Sequence, residues 1–184
     1  MTSEDSRFFV ITGGPGSGKS TLLGALIRAG FAASAEVGRR IIQQQVEIGG
    51  RALPWIDPAL FAEMMLSWEI ESYRAAGEKP GPVFFDRGVP DVLGYLRLAG
   101  PPVPDHVTRA TKLFRYNRRV FICPPWPEIF AQDAERKQTL DEAKRTYDAM
   151  IATYCDCGYE LVEVPRVAVQ DRARFVIERA AQAS

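Results

Sequence analysis

The segment that most limits what this chain can fold into is residues 8–20, FFVITGGPGSGKS. An apolar β-type run, Phe8-Phe9-Val10-Ile11-Thr12, leads straight into Gly13-Gly14-Pro15-Gly16-Ser17-Gly18-Lys19-Ser20. That octapeptide satisfies G-x-x-x-x-G-K-[ST] at every fixed position, the pattern of a phosphate-binding P-loop. Thr21-Leu22-Leu23-Gly24-Ala25-Leu26-Ile27 continues as an apolar helical pattern. Strand, glycine-rich loop and helix in this order make an anion cradle, because successive backbone N–H groups converge and the positive end of the helix faces the same point. Gly13, Gly16 and Gly18 give the loop its freedom to turn without a Cβ clash, and Gly14 and Ser17 complete its lining. Lys19 is expected to reach the β- and γ-phosphates, Ser20 to ligate Mg²⁺, and Thr21 to touch the α-phosphate.

Length and charge narrow the remaining options. A chain of 184 residues suits one domain, 1–184, with its own core. Lys+Arg and Asp+Glu are equal at 23 each, so no global positive field draws nucleic acid. The polar, acidic start Met1-Thr2-Ser3-Glu4-Asp5-Ser6 lacks the apolar heart of a signal peptide, and no apolar run approaches the roughly 20 residues that span a bilayer. Cys123, Cys155 and Cys157 make a poor disulfide framework, and with His106 as the single histidine they make a poor zinc site. Reduced thiols, a cytoplasmic location and no membrane partner are the expectation.

Beyond the loop, strands and helices alternate. Helix is expected over about 18–29, then a short buried strand at 31–35 and a helix from Glu36 with Val37, Ile41 and Gln45 on one side. Asp57-Pro58 starts a helix in which Leu60, Phe61, Met64, Met65 and Trp68 recur at helical spacing. That stripe is core or, where Trp55, Met64 or Trp68 contributes, the wall of an acceptor pocket. Val83-Phe84-Phe85-Asp86 is a strand ending in a carboxylate, the Walker B arrangement downstream of a P-loop, and Asp86 is expected to orient hydrated Mg²⁺. Helices at 90–98 and 104–114, a strand at 118–123, a capping box at Thr139–Glu142, a strand at 159–164 and a last helix from 169 complete the series. Alternation of this kind implies an α/β fold with a parallel sheet, helices on both faces and ligands at the carboxyl ends of the strands.

The length, GGPGSGKST, Glu36-x-x-Arg39-Arg40, FFDRG-x-x-D ending at Asp91, and GYELVEVP at 158–165 together resemble the small P-loop kinases of nucleosides and nucleotides. They resemble still more the small bacterial P-loop proteins labelled predicted ATPases, which are similar to the ribosylnicotinamide kinase domain of a bacterial NAD-biosynthesis regulator. The resemblance implies a three-layer P-loop NTPase fold, five strands in the order 2-3-1-4-5, a small lid near 124–138 and an acceptor-side insertion near 49–82. It implies that Glu36 faces the acceptor hydroxyl as base, the other reading being a helix-start acid paired with Arg39 or Arg40, and that Asp86 orients Mg²⁺ or is itself the base. Arg87 would grip a phosphate or an acceptor carboxylate, or form a surface ion pair. Asp91 would contact the acceptor or simply suit the first turn of its helix. Arg136 and Lys137 are the lid candidates, without the closely spaced arginine pair of several nucleoside-kinase lids, and Arg166 would stack on adenine.

ATP and Mg²⁺ are thus the expected cofactors, and a small nucleoside- or nucleotide-like metabolite the expected acceptor of the γ-phosphoryl group. The alternative is a switch or binding module that hydrolyses ATP or GTP slowly. No Asn-Lys-x-Asp guanine motif supports a GTPase, and neutral charge weakens an RNA-directed kinase. The sequence names no protein partner.

Overall fold

Phe8–Gly13, buried along its whole length, is the central strand β1 of a parallel sheet. The computed structural model describes residues 3–130 and 139–182. Four further strands flank β1: β2 (Ala32–Ala33), β3 (Val83–Asp86), β4 (Arg119–Cys123) and β5 (Glu160–Glu163). In space they run β2-β3-β1-β4-β5, the 2-3-1-4-5 order implied by the resemblance.

A strand covered on both faces sends alternate side chains into two different cores. Phe8 and Val10 join Val83, Phe85, Val120 and Ile122 on one side. Phe9 and Ile11 join Phe84 and Phe121 on the other. The second face is covered by α1 (Lys19–Arg28), through Leu22, Leu23 and Leu26, and by α7 (Val169–Ala181), through Ala173, Val176 and Ala180. The first face is covered by α3 (Pro58–Ala76), α4 (Val89–Ala99), α5 (Asp105–Leu113) and α6 (Leu140–Asp156). Truncating a fully buried leucine such as Leu22 to alanine in such a core costs about 2–5 kcal/mol.

Helix α2 (Val37–Glu47) stands apart, packed on α3 by Val37, Ile41 and Phe61. Its buried Gln45 accepts from the Ala52 N–H at 3.1 Å, which ties down the turn after Gly49-Gly50. The caps follow the sequence: Asp57 accepts from Leu60 N at 3.0 Å, and the Thr139–Glu142 box is closed in both directions, at 3.2 and 2.6 Å.

Three local features depart from the sequence reading. Strand β2 has two residues rather than five, because the Ser34 hydroxyl accepts from Asp86 N at 3.1 Å where a further backbone rung would stand. Ser3–Glu4 pairs in parallel with Phe114–Arg115 as a separate two-stranded ribbon. On α3 the deeply buried face runs Phe61, Ala62, Leu66, Glu69, Tyr73 and Ala76, whereas Leu60 is exposed and Met64 and Trp68 are half-buried. Trp55 is 63% exposed.

Candidate functional site

The sheet register brings the chemistry to one edge. Ile11 lies opposite Asp86, and Gly13 lies opposite Cys123, so the glycine loop, the Asp86 carboxylate and the end of β4 leave the sheet side by side. Gly18 has φ 77°, and a Cβ there would fall 2.6 Å from Arg172 Nη1. The left-handed backbone therefore calls for glycine, and the Arg172 guanidinium from α7 comes close against it. Gly14 answers to packing alone, since a Cβ there would run into the Ala143 carbonyl in the first turn of α6.

Lys19 is buried, and its Nζ donates to the Gly14 carbonyl at 2.7 Å and to Ser17 Oγ at 3.4 Å. Ser17 Oγ in turn donates to the same carbonyl at 2.8 Å. Loss of water brings the Lys19 ammonium down to about 8; Arg87 adds to the fall, while Asp86, Cys123 and Glu36 oppose it. Asp86 is also buried, and its Oδ1 has no hydrogen-bond partner among the described residues. Burial pushes Asp86 up to about 6 against the pull of Lys19 and Arg87. An orphaned carboxylate oxygen beside a loop whose Ser20 is exposed suits a divalent cation.

Arg87 follows Asp86 with φ 74°, a left-handed backbone unusual for a side chain of this size. Such strain needs anchoring. Here the Arg87 N–H donates to Ile11 O at 3.0 Å, and Nη1 donates to Gly13 O and to Asp91 Oδ1, each at 3.1 Å. Asp91 is a buried hub. It also accepts from Thr12 Oγ1 at 2.6 Å, Gly88 N at 3.0 Å and the Tyr154 hydroxyl at 2.5 Å. These four donors account for its burial through the fold, so of the two roles open to Asp91 the geometry supplies the helix-start one.

Glu36 is the residue before α2, makes no side-chain cap, and lies 3.7 Å from Arg39 Nε. Its charge also acts on Lys19, Asp86 and Arg87, so Glu36 belongs electrostatically to this edge as well as to the Arg39 pair. A cleft of about 760 Å³ opens over the loop from Gly16 to Thr21, walled by Arg39, Trp126, Ile129, Arg166 and residues 167–169. Arg166 is exposed, lines the cleft, and its Nε donates to Pro125 O at 3.0 Å. Arg136 and Lys137 lie outside the described residues.

Two residues of this edge escape a reading of motifs. Arg172 on α7 is 3% exposed and donates to the carbonyls of Ser17 and Gly18 and to Cys123 Sγ. Glu69 on α3 is 4% exposed, its Oε2 has no hydrogen-bond partner among the described residues, and burial together with Asp91 and Asp86 raises it well above the usual carboxylate range. The available signal was periodicity: each falls in register with its helix's apolar stripe, Arg172 beside Ala173 and Val176, Glu69 between Leu66 and Tyr73. The three cysteines are free, and among the described residues no cluster of three metal-ligating side chains occurs. No helix of the described residues is long and apolar enough to cross a membrane.

Sheet order, glycine loop and strand-end aspartate define a P-loop protein with the fold of the small P-loop kinases. A family model described as an AAA domain (AAA_28) matches residues 8–172, and the chain belongs to that family. No curated protein matches the sequence. Among solved structures, deoxyadenosine kinase from M. mycoides, with products dCMP and a flexible dCDP bound, is similar over 95% of this chain and 99% of its own, with TM-score 0.69 and 12% identity. NadR protein in complex with NR is similar over 96% of this chain, with TM-score 0.70 and 15% identity, and this chain spans about half, 51%, of NadR. Shikimate kinase from Acinetobacter baumannii in complex with shikimate matches over 99% of this chain and 94% of its own, with TM-score 0.54 and 14% identity. At these identities the likeness is one of fold.

Proposed function

We propose that this protein transfers the γ-phosphoryl group of Mg-ATP to a hydroxyl of a small metabolite, of the nucleoside or nucleotide-like class. The observation that carries the reading is the convergence of Lys19, Asp86, Arg87 and Glu36 in one electrostatic cluster beside the glycine loop. The loop and the Asp86 carboxylate serve nucleotide and cation, and Glu36 and Arg87 beside them add an acid for an acceptor hydroxyl and a cation for the transferring group. The fold neighbours support the nucleotide: the M. mycoides kinase binds dATP, and NadR binds AMP-PNP.

In this reading the loop amides and Lys19 hold the β- and γ-phosphates, and Ser20 and Asp86 would hold Mg²⁺, which would neutralise the charge that builds on the phosphates during transfer. Glu36 takes the proton of the acceptor hydroxyl as its oxygen bonds to the γ-phosphorus. The bond from that phosphorus to the β,γ-bridging oxygen breaks, and ADP leaves. Arg87, pinned by Gly13 O and Asp91, presents positive charge where the transferring group passes. Arg166 and Trp126, which line the cleft, flank the adenine, and the 49–82 segment walls the acceptor side of the single domain; the lid expected over 124–138 falls for the most part outside the described residues.

The test is a metabolite library incubated with γ-labelled ATP, the wild type compared with Lys19→Ala and Glu36→Gln. Label on an acceptor, lost in Lys19→Ala and much reduced in Glu36→Gln, is the expected result. Label released only as free phosphate, slowly, would favour a nucleotide-dependent switch instead.

A further inference from the structure

We infer that Arg172 is a positioning residue of the nucleotide site, one that orients and polarises two amides of the phosphate cradle from behind. The inference rests on the nucleotide-binding part of the proposed function and on no particular acceptor. Its basis is which peptide units the guanidinium touches. Arg172 Nη2 donates to the Ser17 carbonyl at 3.1 Å, and Nη1 donates to the Gly18 carbonyl at 3.3 Å. The peptide unit that contains the Ser17 carbonyl also contains the Gly18 N–H, and the unit that contains the Gly18 carbonyl contains the Lys19 N–H. A planar peptide held at its oxygen by a fixed cation has its N–H aimed the opposite way, and hydrogen bonds in such a chain strengthen one another. Those two N–H groups belong to the part of the loop that receives phosphate.

The guanidinium is itself fixed. It is 3% exposed, Nη2 also donates to Cys123 Sγ at 3.3 Å, and its carbon lies 5.4 Å from the centre of the Trp126 ring. Cys123 ends β4, Trp126 lies in the segment that follows it and walls the cleft, and Arg172 itself comes from α7, so one side chain ties β4, the segment after it and α7 to the loop. Gly18 carries the complementary mark, since a Cβ there would stand 2.6 Å from Arg172 Nη1. A lysine at 172 would bring the charge but lack the planar fork that spans two carbonyls.

The experiment measures the affinity of ADP, inorganic tripolyphosphate and AMP for the full chain by calorimetry, for wild type, Arg172→Lys and Arg172→Met, with urea unfolding on each. The expected result is a loss of about tenfold or more in ADP and tripolyphosphate affinity for Arg172→Met, by the strength of charge-assisted hydrogen bonds. Arg172→Lys should be intermediate, and AMP, which lacks the β-phosphate, should change little in either. Both variants binding ADP and tripolyphosphate as the wild type does would overturn the inference, whatever their stability. Equal losses for AMP and ADP would overturn it too, as would failure of both variants to fold, since each assigns Arg172 to the fold alone. Wild type that binds no ADP or tripolyphosphate would instead remove the nucleotide site itself.

Discussion

Thr12 Oγ1 donates to Asp91 Oδ1 at 2.6 Å, joining the strand that feeds the phosphate loop to the first turn of the helix that follows Asp86. The bond crosses 79 residues of chain and lies out of water. It belongs to a set in which Asp91 also holds Arg87, Gly88 N and Tyr154. The two halves of the site, glycine loop and Asp86-Arg87 turn, are therefore clamped by one carboxylate.

Removing that carboxylate strands four buried or half-buried donors at once. Asp91→Ala is expected to destabilise the protein by about 3–5 kcal/mol, the range for breaking a buried charged network. Asp91→Asn keeps an acceptor and a similar shape and should cost less. Urea unfolding of the three proteins at pH 7 checks this. A change within about 0.5 kcal/mol for alanine, the size of an ordinary surface substitution, would mean that water replaces the carboxylate.

Asp86 gives the site a pH dependence with a definite sign. Burial raises it from 3.8 to about 6 in the folded chain, and its Oδ1 has no partner among the described residues. Only the ionised form can orient a hydrated cation, so Mg-nucleotide affinity should fall as pH drops from 7.5 to 5, steepening towards tenfold per unit below about 6. Binding of Mg-ADP across that range checks it, with Asp86→Asn as the reference that cancels titration of the nucleotide itself. A wild-type profile parallel to that of Asp86→Asn would take Asp86 out of the cation site.

How much of this was open to a reader of the sequence depended on how local each signal is. The loop, the caps at Asp57 and Thr139 and the strand ending in Asp86 are each written in fewer than a dozen consecutive residues. The 2-3-1-4-5 sheet order follows from resemblance and chirality rules rather than from any one segment. Arg172 was hidden because its partner carbonyls lie 154 and 155 residues away, and an arginine in a helix reads as solvated charge. Asp91 was legible as a first-turn acid or an acceptor contact, but its part as a hub was hidden because Thr12 and Tyr154 come from other elements. On α3 the stripe read from the sequence holds for Phe61, Met64, Met65 and Trp68, which form a core with α2, while the deeper face towards the sheet, through Leu66, Glu69 and Tyr73, was missed because it carries a carboxylate.

Glu69 supplies the last test, on stability. The residue is 4% exposed, its Oε2 lacks a partner among the described residues, and its carboxyl is raised well above 4.5 by burial first, then by Asp91 and Asp86, with only Arg87 opposing. A group whose folded value lies above its unfolded value makes the folded chain hold more protons between the two. Its contribution to stability is then fully present below about 4.5 and is lost as pH rises through the folded value. Asp86 contributes in the same direction between 3.8 and about 6, so the two must be separated by substitution. Glu69→Gln removes the Glu69 part while keeping the shape. The variant is expected to match the wild type within about 1 kcal/mol at pH 5 and to gain on it as pH rises, by about 1 kcal/mol or more at pH 8.5, the scale of an unsatisfied buried polar group. Urea unfolding at pH 5, 7 and 8.5 measures the difference. A wild-type-minus-variant difference that is flat with pH would show Glu69 ionised throughout and stabilised by its surroundings, with Arg87 outweighing burial and the two neighbouring acids.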